Sequence, residues 1–410
     1  MTRLLAIMGS GETAPTMTKV HRALLARSTG TAVLLDTPYG FQTNASDISA
    51  RTVDYFRVSL NTQVGVASLL SADVAAIDRK RALNQVRDAG YVFAGPGSPS
   101  YALRTWATTD LAAIITDKLR PGGSGGVVVF ASAAALTLGT HTVPVYEVYK
   151  AGESPYWLSG LDLISLAGLN AVVIPHFDNA EGGNHDTRYC YLGEDRLSKL
   201  ERELPEESIV LGVDEHTACI FDLDTQTVEI MGRGVVTVRR RGCSVPFAEG
   251  KYDTASLLVD ADAASVVTMP APVVPMAPVG SATSLGADTE RLSAAFDSAL
   301  DARDALVAAA AALDLDSAIV DWASDTTQSD APERARAALR SMIARLGELA
   351  VDGIADPRTV VGPYVEAALQ GRTAARDAKA FAVSDVLRDA LLRAGIEVRD
   401  TPSGQEWVMR

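Results

Sequence analysis

The first 240 or so residues alternate short apolar runs with helix-forming segments, and this alternation constrains the fold more than any other feature of the chain. The apolar runs are RLLAIM (3–8), TAVLLD (31–36), QVGVAS (63–68), YVFAG (91–95), GVVVFA (126–131), AVVIP (171–175) and SIVLGV (208–213). Each is five or six residues long and largely apolar on both alternating faces, as a strand covered on both sides must be. Segments such as TKVHRALLARS and PSYALRTWATTDLAAIITDKL lie between them. Strands alternating with helices predict βαβ units, and hence an α/β fold with a mostly parallel, doubly wound sheet. Residues 217–240 read differently, as a short antiparallel meander with turns at DTQ and GRG.

After about residue 262 the composition changes. Residues 263–287 carry four prolines, many small residues and no charge, which predicts a semi-extended linker. From 288 the chain is rich in Ala, Leu, Arg and Asp at helical spacing, which predicts a small all-α domain. The expected organisation is therefore 1–262, a linker at 263–287, and 288–410.

Charge and cysteine usage narrow the function. The net charge is −14, and residues 281–410 hold 14 Lys and Arg against 21 Asp and Glu. Binding driven by phosphate neutralisation is disfavoured on that balance, and tRNA contact with it. The three cysteines, Cys190, Cys219 and Cys243, show no CxxC spacing, which fits a reducing compartment without a zinc cluster. The apolar stretch near the N-terminus is too short for a signal-peptide core or a membrane span, so a cytoplasmic protein without a membrane partner is expected.

A nucleophile candidate stands where GGVVVFASAAALTLG passes from strand to helix at Ser132. A serine on such a turn is exposed at a sheet's edge, and the N–H of Ala133 at the following helix start would face developing negative charge. A second donor is expected from AGPGSPS (94–100), whose glycines let backbone N–H groups approach a substrate closely. The elbow reads F-A-S-A-A rather than G-x-S-x-G, and Phe130 would either crowd the opposite wall or fill the core. Among five histidines, His176 lies just past a buried strand in AVVIPHFDN, where ligand crevices of open α/β sheets form. For the third member, Glu147 is the carboxylate nearest after the serine, with Glu153, Asp162 and Asp178 as competitors.

Residues 1 to about 245 resemble the class I glutamine amidotransferase-like fold, in the serine peptidase branch of the dipeptidase E and cyanophycinase type. The resemblance is carried by GPGS, the serine elbow, the acidic residue fifteen positions on, PHFDNAEGGNHDTR (175–188) and LGVDEHTA (211–218). It implies Ser132 as nucleophile, His176 as base, Glu147 as acid, Gly97 and Ala133 as oxyanion donors, and a small peptide or isopeptide as substrate. A serine in place of cysteine argues against glutaminase chemistry. Substrate contacts are expected from Glu12, Gln42, Asn44, Ser98, Asn179 and Arg188. No cofactor and no metal are expected: GSGE lacks the lysine of a Walker motif, and His176, Asp178, His185 and Asp186 lack helical ligand spacing.

Residues 372–407, ending LRDALLRAGIEVRDTPSGQEW, resemble the C-terminal region of cysteinyl-tRNA synthetases. No HIGH-type or KMSKS-type segment accompanies them. The expected role is interaction or oligomerisation, with Ala380, Phe381, Val386, Leu387, Leu391 and Leu392 as the inner face of a helix pair. A non-catalytic binding or regulatory protein, its tail contacting a protein or tRNA, is the alternative to a serine hydrolase.

Overall fold

In the computed structural model the described residues are 2–180, 185–258, 284–323, 330–352, 357–401 and 404–409. They form two compact units, Met1–Thr283 with Val320–Asp330, and Ser284–Ile319 with Ala331–Arg410. Most of the expected linker, 263–283, lies outside the described residues. Its last four residues already open a helix, because Ser284 caps it by accepting from Ala287 N–H at 3.1 Å.

The seven expected strands are present as β1 (Arg3–Met8), β2 (Ala32–Leu35), β3 (Val64–Ala67), β4 (Tyr91–Ala94), β5 (Gly126–Ala131), β8 (Ala171–Ile174) and β9 (Ile209–Val213). Between β5 and β8 lie the short pair β6 (His141–Thr142) and β7 (Leu158–Ser159), and a π-helical turn, Tyr146–Lys150. The meander supplies β10 (Thr217–Asp222), β11 (Thr227–Gly232) and β12 (Val236–Arg240), followed by β13 (Cys243–Phe247) and β14 (Gly250–Asp253). The connecting helices are α1 (Thr18–Leu25), α2 (Ala45–Ser59), α3 (Ala76–Asp88), α4 (Pro99–Trp106), α5 (Leu111–Leu119), α6 (Ser132–Leu136) and α7 (Gly193–Glu203).

The main sheet has the order β14-β11-β10-β1-β5-β4-β2-β3. Its five strands from β1 to β3 run parallel, and β10, β11 and β14 extend it antiparallel. Side chains alternate between two buried faces. Leu5, Ile7, Val92, Val128 and Phe130 enter one core, and Leu4, Ala6, Phe93, Val127 and Val129 the other.

Two expectations need correction. Strands β8 and β9 belong to a separate four-stranded sheet, β13-β12-β9-β8, and not to the main one. The meander also divides, because β12 leaves β11 and pairs antiparallel with β9. The turn at Gly232–Gly234 permits this crossing: Gly232 has φ +131, and a Cβ there would meet the His216 carbonyl at 2.4 Å.

Main-sheet packing also buries a histidine. His21 on α1 is fully enclosed; its Nε2–H donates to the Glu12 carbonyl at 2.6 Å, and its Nδ1 accepts from the Tyr91 hydroxyl at 2.7 Å. Burial lowers its pKa from 6.5 to about 4, against the opposing bond to Glu12. The unfolded chain then binds the extra proton first. Stability is fully present above pH 6.5 and falls as pH drops through about 4, by about 3 kcal/mol for this group. Urea unfolding at pH 7 and pH 4 should show that loss in the wild type and a smaller one in His21→Gln.

The second unit contains α8 (Leu285–Asp301), α9 (Ala305–Asp321, its last two residues assigned to the first unit), α10 (Ala331–Asp352), α11 (Pro357–Asp377), α12 (Phe381–Arg393) and the hairpin β15 (Ile396–Thr401)–β16 (Gly404–Met409). Arg372 on α11 makes two bonds to Asp400 on β15, at 2.8 and 2.9 Å, and Arg376 adds a third at 3.0 Å. The expected inner face of α12 is only partly inward. Leu391 packs on Val365, Leu369 and Ile396, and Leu387 is half-buried, whereas Ala380, Phe381, Val386 and Leu392 are exposed. No described helix is long and apolar enough to cross a membrane.

Candidate active site

Three strand ends converge. Ser132 follows β5, His176 lies two residues past β8, and Glu215 lies two residues past β9. In parallel α/β sheets the carboxyl ends of the strands open a crevice, so strand ends are where side chains meet. Ser132 Oγ lies 2.9 Å from His176 Nε2, and His176 Nδ1 lies 2.7 Å from Glu215 Oε1. The carboxylate can only accept, so Nδ1 carries the proton and Nε2 is left to accept from the serine hydroxyl.

Ser132 and His176 both have left-handed backbones, with φ of 49 and 47. Such angles cost a non-glycine residue about 1–3 kcal/mol each and persist only where the surroundings enforce them. The elbow therefore adopts the usual nucleophile conformation without flanking glycines. Phe130 is fully buried against Trp106, 5.7 Å between ring centroids, so it fills the core and leaves the cleft open. The Ala134 N–H donates to the Gly95 carbonyl at 3.2 Å, which fixes the elbow to the loop after β4. On the other side of the relay, His176 N–H donates to the Gly9 carbonyl at 3.3 Å.

The carboxylate bonded to His176 is that of Glu215, not the expected Glu147. Glu147 instead accepts from the Ser100 hydroxyl and ties the π-helical turn to the start of α4. Asp178, a competitor in sequence, accepts the Glu215 backbone N–H at 2.8 Å. Burial alone would raise the Glu215 carboxyl, but the bonds from His176 and Asn179 and the nearby histidine charges hold it below the usual glutamate range. Asp214 beside it is pushed up to about 7, first by burial and then by the charge of Asp178.

A cleft of about 460 Å³ opens on Ser132 and His176. Glu12, Gln42, Asn44, Gly97 and Ala133 line it. Gly97 has φ +137, and a Cβ there would meet the Pro38 carbonyl at 2.0 Å, so only glycine brings this backbone to the cleft. Three expected substrate contacts lie elsewhere. Ser98 caps α4, accepting from Tyr101 N–H at 3.2 Å. Asn179 is fully buried and donates to Glu215 Oε1 at 3.3 Å, so it steadies that carboxylate. Arg188 spends its guanidinium on Asp186, with bonds of 2.9 and 2.8 Å. Arg51, Tyr146, Tyr149, Lys150 and Tyr191, which carry no motif signal in the sequence, also line the cleft. No cluster of metal-binding side chains occurs among the described residues.

Residues 360–407 match the family model of the cysteinyl-tRNA ligase anticodon binding domain. A cysteine–tRNA ligase of Desulfovibrio desulfuricans is 56% identical over 50 residues, 12% of this chain and 10% of that protein. One from an Arthrobacter species is 39% identical over 82 residues, 18% of this chain and 17% of that protein. The chain thus spans only a small part of the length of these curated relatives. Among solved structures, a peptidase from an acI-B1 Actinobacterium is 21% identical with a TM-score of 0.49, covering 62% of this chain and 97% of that one. A putative peptidase E protein from Listeria monocytogenes is 11% identical with a TM-score of 0.37, covering 58% of this chain and 99% of that one.

Proposed function

We propose that the α/β unit is a serine hydrolase that cleaves a small peptide or isopeptide, of the dipeptidase E and cyanophycinase type that the sequence resembles. The observation that carries this reading is the continuous hydrogen-bond relay from Ser132 through His176 to Glu215. Ser132 Oγ attacks the carbonyl carbon of the scissile amide while His176 Nε2 takes the hydroxyl proton. Glu215 stabilises the imidazolium and holds the ring in the tautomer that can accept. Backbone N–H groups of Gly97 and Ala133 hold the oxyanion. The C–N bond then breaks as His176 gives its proton to the leaving amine. Water attacks the resulting ester, its proton passing to His176 and on to Ser132, and the acid is released.

The C-terminal module enters this reading as a contact surface for protein. Residues 360–407 carry six Lys and Arg against seven Asp and Glu, and Arg372 and Arg376 are engaged by Asp400. That charge state supports a protein contact over a phosphate backbone. The hydrolase reading is tested by turnover of a dipeptide and isopeptide library followed by mass spectrometry. Wild type should cleave members of it, and Ser132→Ala should lose at least about a thousandfold in kcat/KM while keeping its circular dichroism spectrum. Equal turnover by the alanine variant would remove the mechanism.

A further inference from the structure

Resting on that hydrolase reading, we propose that Tyr149, Tyr191 and Lys150 form the leaving-group subsite of the cleft, and that the group released is an amino acid with a planar apolar side chain and a free carboxylate.

The side of the cleft follows from the proton path. His176 must hand its proton to the departing nitrogen, so the leaving group lies beside the imidazole. The acyl oxygen faces Gly97 and Ala133, on the loop after β4 and the start of α6. Beside the imidazole stands the Tyr191 ring, 6.2 Å from that of His176, and Tyr149 packs on Tyr191 at 4.9 Å with the planes 32° apart. Both tyrosines are half-buried and line the cleft. A planar side chain seated there gains offset or edge contacts with the wall beyond its buried area.

Both elements that present this wall depart from ordinary backbone geometry. Tyr189, Cys190 and Tyr191 are three consecutive left-handed residues, with φ of 60, 56 and 66. Backbone bonds hold that turn against the base loop: Tyr189 N–H donates to the Phe177 carbonyl at 3.0 Å, and Cys190 N–H to the His176 carbonyl at 3.1 Å. Tyr149 rides on the π-helical turn, a rare form found often at functional sites. Strain of this kind on two separate elements that meet at one surface points to a surface with a task.

Lys150 closes the wall. Its Nζ lies 5.9 Å from the Tyr149 ring, it is exposed at the cleft, and it has no salt bridge among the described residues. An ammonium at the end of an aromatic wall suits the terminal carboxylate of an amino-acid leaving group. Arg51, the other cation lining the cleft, comes from α2 and is not part of this wall.

The test is kcat/KM on dipeptides X-Phe, X-Leu, X-Ala and X-Phe-amide, with X varied over all residues, alongside fluorophosphonate labelling of Ser132. For cleaved X, Phe should exceed Ala by about tenfold or more. Tyr149→Ala and Tyr191→Ala should each bring that ratio toward one, and Lys150→Met should remove the preference for the acid over the amide. A flat Phe-to-Ala ratio in the wild type, or a preference that survives both tyrosine variants, overturns the subsite while the hydrolase stands. Labelling without cleavage of any member also overturns the subsite alone. The absence of both labelling and cleavage removes the hydrolase reading and the subsite with it.

Discussion

Glu215→Gln is expected to lower the rate of peptide cleavage by about 10³–10⁴-fold with the fold intact, because an amide can present its N–H₂ to His176 Nδ1 and impose the wrong tautomer. The imidazole then has no free Nε2 lone pair for the serine proton. Glu147→Gln, assayed beside it, is expected to lose less than about threefold, since its partner is the Ser100 hydroxyl and not the base. Steady-state kinetics on one cleaved peptide decides between the two carboxylates. A large loss in Glu147→Gln with a small one in Glu215→Gln would reverse the assignment of the acid.

Arg239→Ala is expected to cost about 3–5 kcal/mol of stability, because it leaves buried charge without a partner. Arg239 on β12 is 2% exposed. Its guanidinium bonds Glu201 at 2.9 and 2.7 Å and Glu194 at 2.9 and 2.5 Å, both on α7. It also lies 5.3 Å over the Tyr189 ring, at the first residue of the left-handed turn that carries Tyr191. Glu194 is held down to about 2 by this arginine, so the pair persists across the physiological range. Arg239→Lys should rescue little, since one ammonium cannot hold two carboxylates in the same fork. Urea denaturation checks both variants. A loss under 1 kcal/mol in Arg239→Ala would show that α7 and β12 are held by apolar packing alone.

Much of this architecture is legible in the sequence because burial on both faces writes itself as short apolar runs. All seven strands read that way occur within a residue or two of their expected bounds. Which strands share a sheet is not legible. AVVI and IVLGV have the same apolar pattern as the main-sheet strands, and only the packing of α7 and β12 shows that they form a second layer.

The site divides in the same way. Ser132 and His176 are readable because each ends a buried strand. Glu215 occupies the equivalent place after β9, in VDEHTA, and the strand-end argument applied a third time would have found it. Closeness in sequence to Ser132 favoured Glu147 instead, although the side chains that meet at a sheet's edge come from distant segments. Arg188 and Ser98 fail as substrate contacts for a local reason. Asp186 sits two residues from the arginine, and the start of α4 needs the serine as its cap.

The central claim is that Ser132 is an activated nucleophile, and covalent labelling tests it most directly. Purified protein would be treated with a fluorophosphonate probe, and adducts read by intact mass and peptide mapping, with Ser132→Ala alongside. The relay to His176 and Glu215 predicts one adduct, on Ser132, absent from the alanine variant and slowed in Glu215→Gln. An unlabelled Ser132 in folded wild-type protein would contradict the account and leave the cleft as a binding site without hydrolysis.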